Sequence, residues 1–116
     1  MKIYLVRHGQ TSHNALKVYS SEDQDLNEVG IKQANELKNK IKEIDYDIVI
    51  VSPLKRTIHT ANIINVKNKK VIIDERLKER SVGDLSGKPL SVTNRDEYWN
   101  YNTKLIWYKW RYKRFF

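Results

Sequence analysis

Three short apolar runs, set apart by two stretches of helical periodicity, constrain this chain more than any other feature. Ile3–Val6 is continuously apolar, Asp47-Ile48-Val49-Ile50-Val51 carries four apolar residues in a row, and Val71-Ile72-Ile73 repeats the pattern. Unbroken runs of this length are expected of buried strands, the first a central parallel strand covered on both faces. Between the first two runs, Ile31, Ala34, Leu37, Ile41 and Ile44 recur at three- and four-residue steps and make one apolar stripe, with Asn27 placed to cap its start. After the second run, Leu54, Ile58, Ala61 and Ile64 make the inner face of another helix, which the Ser52-Pro53 pair is expected to open. Residues 7–25 read as a polar loop. Residues 74–94 read as a second loop, punctuated by Gly83, Gly87 and Pro89. Alternation of strand and helix specifies an α/β fold around a mostly parallel sheet. At 116 residues the chain has room for one domain with a modest core.

In an open α/β sheet, ligands bind outside the carboxyl ends of the strands. Arg7-His8-Gly9 follows the first run, Ser52 to Arg56 follows the second, and Asp74 to Arg80 follows the third. The topology therefore brings a histidine, two arginines and a charged cluster to one rim. Guanidinium groups present rigid forks of donors that match phosphate oxygens. A helix N-terminus adds free N–H groups and partial positive charge. A neutral imidazole is a competent nucleophile toward phosphorus, Gly9 lets backbone approach an anion closely, and Glu79 is placed to protonate a leaving oxygen. This set suits phosphoryl transfer, in which positioning and charge stabilisation supply most of the catalysis.

Four ordered segments resemble the histidine phosphatase superfamily, which includes the cofactor-dependent phosphoglycerate mutases. Arg7-His8-Gly9-Gln10-Thr11, followed by Asn14, is similar to its RHG signature. Leu26 to Ala34 resembles a segment ending in G-x-x-Q-A. Ser52 to Ala61 resembles S-x-x-x-R-x-x-x-T-A, and Leu77-Lys78-Glu79 with Gly83 and Gly87 resembles L-x-E followed by G-x-x-x-G. A lone RHG is weak evidence, but four segments in order over about residues 1–90 are strong. The resemblance implies a three-layer α/β sandwich of the phosphoglycerate mutase type, incomplete in this chain. It implies His8 as the phosphorylated nucleophile, Arg7 and Arg56 gripping the phosphoryl oxygens, and Glu79 as proton donor and later base. Gly9, Thr11, Asn14 and Arg80 would contact substrate or its phosphate. It implies no metal and no cofactor, and a small phosphorylated substrate handled by hydrolysis or by mutase-type transfer. The family also uses a second histidine, usually before a glycine, on a later strand. This sequence has only His8, His13 and His59, so a truncated, weakly active or inactive relative that binds phosphorylated ligands or acts as an interaction protein is the alternative expectation.

Simpler readings stand beside these. Asn14 could merely cap a turn, Arg80 could be surface charge, Ser52 is better explained as a helix cap than a nucleophile, and His13 and His59 are expected to be structural or exposed. Residues 95–116 form a distinct tail: nine of the twelve aromatics lie at 98–116, and six Lys or Arg against two acids give it half of the net charge of +8. Interleaved aromatic and basic residues can stack on nucleotides or sit at a membrane surface. No clean amphipathic period runs through them, so covering exposed sheet in this chain or a partner fits better, and nucleic acid is not the expected partner. A homo-oligomer formed through an open sheet edge or this tail is expected instead. With no cysteine, no apolar stretch near the ~20 residues of a membrane span and an N-terminal apolar run too short for a signal peptide, the expected location is the cytoplasm.

Overall fold

The computed structural model describes residues 1–92. The aromatic and basic tail at 95–116 lies outside the described residues. Their regular elements, in order, are α1 (Ser12–Ala15), α2 (Glu28–Ile41), β1 (Ile48–Val51), α3 (Lys55–Ile64) and β2 (Lys70–Ile73), followed by short 3-10 turns at Glu75–Leu77, Gly83–Leu85 and Leu90–Val92. β1 and β2 pair in parallel, with Ile48 opposite Lys70 and Val51 opposite Ile73. The crossover between them is α3, the right length for a parallel connection.

α2 begins where the sequence places it. Asn27 is extended, its side chain accepts from the Gly30 N–H at 2.8 Å, and Glu28 sits in the first turn where the helix dipole favours an acid. The stripe is buried at Ala34, Leu37 and Ile41, with Gly30 on the same face. Leu37, Ile41 and Ile64 form the core cluster, and Val6, Ile44 and Tyr46 pack around it. Each such Leu or Ile is worth about 1.5–3 kcal/mol when fully buried. Ile31 lies at the stripe's margin and is partly exposed.

Three details differ from the sequence reading. Residues 3–6 are not assigned as a strand; Leu5 alone makes a bridge. Exposure alternates along them, with Tyr4 and Val6 half-buried and Ile3 and Leu5 open. β1 does the same: Val51 is buried and Val49 half-buried, while Ile48 and Ile50 are exposed. β2 is exposed throughout. A continuous apolar run announces two faces fit for burial, but the described helices cover only one. Second, α3 starts at Lys55 with Leu54 as its N-cap, and no side chain caps it. Ser52 is not the cap; its Oγ accepts weakly from the Leu54 N–H at 3.5 Å, and the helix begins two residues later than the Ser52-Pro53 pair suggests, with Leu54 in the cap position. Third, the polar loop 7–25 contains α1, a single helical turn closed by a reciprocal Thr11–Asn14 capping box.

Candidate active site

The segment after Val6 lies across the start of α2, and its position is set by two glycines that face each other. A Cβ on Gly9 would lie 2.4 Å from the Gly30 carbonyl oxygen, and one on Gly30 would lie 2.1 Å from that of Gln10. Only hydrogen is tolerated at either position. The contact is stitched by the Gln10 N–H donating to Gln33 Oε1 at 2.9 Å, the Asn27 N–H donating to the Gln10 carbonyl at 3.0 Å, and the Asn27 amide donating to Gln10 Oε1 at 3.0 Å. The Gly9 N–H donates to Thr60 Oγ1 of α3 at 3.2 Å. The histidine loop is thus tied to both helices.

His8 protrudes from this brace. Its Nδ1 lies 2.7 Å from the Gly9 carbonyl oxygen. A carbonyl can only accept, so Nδ1 carries the proton and Nε2 keeps its lone pair. Burial lowers the His8 pKa below 6.5; the Gly9 hydrogen bond opposes this, and the charges of Arg56 and Arg7 add to it. The ring is therefore neutral at pH 7, with a defined tautomer.

Arg56 stands on the inner face of α3 with its side chain only 3% exposed. Nη1 donates to the Ser21 carbonyl and Nη2 to Glu79 Oε2, each at 3.0 Å. Its Nε is buried without a protein partner among the described residues. Glu79 is 59% exposed and comes from the chain after β2.

Arg7, His8, Asn14, Arg56, Glu79 and Arg80 all line one cavity of about 450 Å³, within the usual range for small-molecule sites. Six of the eight residues singled out in the sequence thus share one wall space. The other two lie behind it. Gly9 borders a smaller hollow of about 200 Å³ beside Arg7 and His8. Thr11 is fully buried, with its Oγ1 accepting from the Asn14 N–H and its own N–H donating to Asn14 Oδ1. Asn14 also donates to Ser20 Oγ at 3.3 Å, so it caps α1 and faces the cavity at once. His13 accepts from the Ser21 N–H at 3.4 Å, and His59 meets Asp25 at 2.9 Å. Neither lines the cavity.

The sequence reading missed the residues that hold these groups in place, namely Gly30, Gln33 and Thr60. Each sits in a quoted motif, and that placement was the only signal to find them by. It also missed the outer wall, where Lys17–Tyr19 runs beside Gly87–Leu90. There the Tyr19 N–H donates to the Lys88 carbonyl, the Gly87 N–H to that of Tyr19, and the Leu90 N–H to that of Lys17. Nearby, Lys78 pairs with Glu22, a residue of the cavity wall, at 2.8 Å.

Fold and site together define an α/β protein with a basic, histidine-lined pocket at the carboxyl ends of parallel strands. The chain belongs to the histidine phosphatase superfamily (branch 1), whose family model matches residues 3–113 and so continues past residue 94. It is 41% identical over 90 residues to "Uncharacterized phosphatase PhoE" of Bacillus subtilis, covering 76% of this chain and 47% of that protein. It is 35% identical over 102 residues to "Probable phosphoglycerate mutase GpmB" of Yersinia pestis, covering 85% and 47%. Among solved structures it resembles the alpha-ribazole phosphatase of Shigella flexneri, with a TM-score of 0.69, 30% identity, and 83% of this chain against 48% of that one. The chain spans about half the length of the relatives it matches. Among the described residues no helix is long and apolar enough to cross a membrane.

Proposed function

We propose that this chain transfers the phosphoryl group of a small phosphate ester to His8 and then to water, acting as a phosphomonoesterase. The observation that carries this reading is the placement of His8: its Nδ1 is held by the Gly9 carbonyl, which leaves Nε2 for chemistry, in a cavity lined also by Arg7, Arg56 and Arg80. Arg56 and Arg7 bind the phosphoryl oxygens. Nε2 attacks phosphorus, the P–O bond to the leaving group breaks, and Glu79 passes a proton from solvent to the departing oxygen. Water then attacks the phosphorus and breaks the P–N bond, Glu79 takes the water's proton, and phosphate leaves with Nε2 restored. Glu79 accepts from Arg56; a phosphoryl group competes for that guanidinium and releases the carboxylate. Transfer to a second hydroxyl in place of water is the mutase variant of the same cycle.

A second reading has its own observation. Among the described residues His8 is the single histidine on the cavity wall, since His13 and His59 are committed to Ser21 and Asp25. A relative that holds phosphate esters and turns them over poorly would fit. Incubation with p-nitrophenyl phosphate decides between the two. The enzyme reading expects acid-labile phosphohistidine at His8, absent in His8→Asn, together with released phosphate. Calorimetric binding of a phosphate ester without phosphoenzyme or turnover selects the binding module.

A further inference from the structure

We infer that Thr60 is the positioning residue that locks the His8 loop to the helix carrying Arg56. Its side chain is buried, at 3% exposure, and one oxygen serves both sides. Oγ1 accepts from the Gly9 N–H at 3.2 Å and donates to the Arg56 carbonyl at 2.8 Å. A helical threonine commonly donates to the carbonyl four residues back, which accounts for the second bond alone. The first joins residues 51 apart in sequence and ends on the neighbour of the nucleophile. A hydroxyl has one proton to give and lone pairs to accept with, so the Thr60 oxygen bridges these two elements with both of its roles in use. Losing it leaves the buried Gly9 N–H without an acceptor, a penalty that drives the loop outward.

His8 is fixed to its loop by its own bond to the Gly9 carbonyl, so the loop's seat on Thr60 decides where Nε2 lies relative to Arg56. A shift of about 1 Å is enough to cost two orders of magnitude in rate.

The test compares Thr60→Val, which keeps shape and loses the hydroxyl, with Thr60→Ser, which keeps the hydroxyl. The His8 imidazole is titrated by NMR in each. Thr60→Val is expected to raise the His8 midpoint toward 6.5, as the ring leaves its buried seat, while Thr60→Ser keeps the wild-type value. A folded Thr60→Val with an unchanged His8 midpoint overturns the inference, and so does a serine variant as perturbed as valine. The kinetic arm rests on the phosphoryl-transfer reading: Thr60→Val should lose about tenfold or more in kcat with little change in KM, since alignment is lost and not binding. The titration does not rest on that reading, so a wild-type chain that forms no phosphohistidine still leaves the role of Thr60 decided by it. If Thr60→Val does not fold, exchange of the Gly9 amide in wild type and Thr60→Ser decides: protection supports the bond, and exchange at the rate of an exposed loop rejects it.

Discussion

Arg56 and Glu79 touch, yet the two sides of the cavity they come from are built differently. The Arg56 side chain is 3% exposed and the Glu79 side chain 59%. Behind Arg56 lie the Gly9–Gly30 contact, the Gln10–Gln33 bond and the Thr60 hydroxyl, all joining elements distant in the chain. On the Glu79 side, residues 75–92 form short 3-10 turns whose residues are exposed or half-buried, held to Lys17–Tyr19 by a few backbone bonds. Rigid placement is what charge stabilisation requires, because donors aimed in advance need no reorganisation. A segment with few buried contacts opens at low cost and suits substrate entry. The inner wall would therefore carry the chemistry common to any phosphate ester, and the rim the choice among esters.

The severest way to break this contrast is to disturb the inner wall without touching a charged group. Gly30→Ala places a methyl 2.1 Å from the Gln10 carbonyl oxygen, a backbone atom that cannot swing aside. We expect a loss of about 3 kcal/mol, the upper end for overpacking, and a fall of about a hundredfold in phosphoenzyme formation as His8 is displaced. Val29→Ala, one residue away and half exposed, should stay within about 0.5 kcal/mol. Thermal unfolding by circular dichroism and phosphohistidine yield below the transition check both. If Gly30→Ala matches Val29→Ala, the inner wall is not rigid in the sense argued.

A milder change sharpens the role of the rim. Glu79→Gln keeps an oxygen to accept from Arg56 but has no acidic proton to give. An alkyl phosphate needs its leaving oxygen protonated, so kcat/KM should fall by about 10²-fold, the low end for general acid catalysis. The p-nitrophenolate ion leaves unaided, and the loss with that ester should be only a few-fold. Equal losses on glycerol phosphate and p-nitrophenyl phosphate would reduce Glu79 to a positioning role.

The same contrast explains what could be read from sequence. Asn27, Ala34, Leu37 and Ile41 were legible because capping and helical period are local properties of α2. The convergence of Arg7, His8, Arg56 and Glu79 was legible because each follows a strand or the run where one was expected. The open faces of Ile48 and Ile50 were not, since an apolar run records fitness for burial and not the presence of a cover. Thr60, Gln33 and Gly30 were invisible as supports because their partners are backbone groups of the His8 loop, 20 or more residues away, and no local pattern encodes that pairing. Ser52 misled for the opposite reason: the local cap-and-proline signal was good, but the backbone enters the helix two residues later, at Leu54.

The smallest expected effect concerns protons. Burial, reinforced by Arg56 and Arg7, holds the His8 pKa below 6.5 against the pull of the Gly9 hydrogen bond. Well above pH 6.5 the ring is neutral in both folded and unfolded chains and has no influence on stability. As pH falls below 6.5 the unfolded chain takes up a proton that the folded chain resists, so stability declines through this window until the folded ring is also protonated. His8→Asn cannot take that proton. The difference in melting temperature between wild type and His8→Asn should therefore be constant well above pH 6.5 and shift against wild type as pH falls through and below 6.5. The acid limb of wild-type kcat/KM should fall in the same window, below the ordinary histidine midpoint, because protonation removes the Nε2 lone pair. A limb at or above 6.5, or a melting difference that ignores pH, would place His8 in water and not in the buried wall on which the contrast depends.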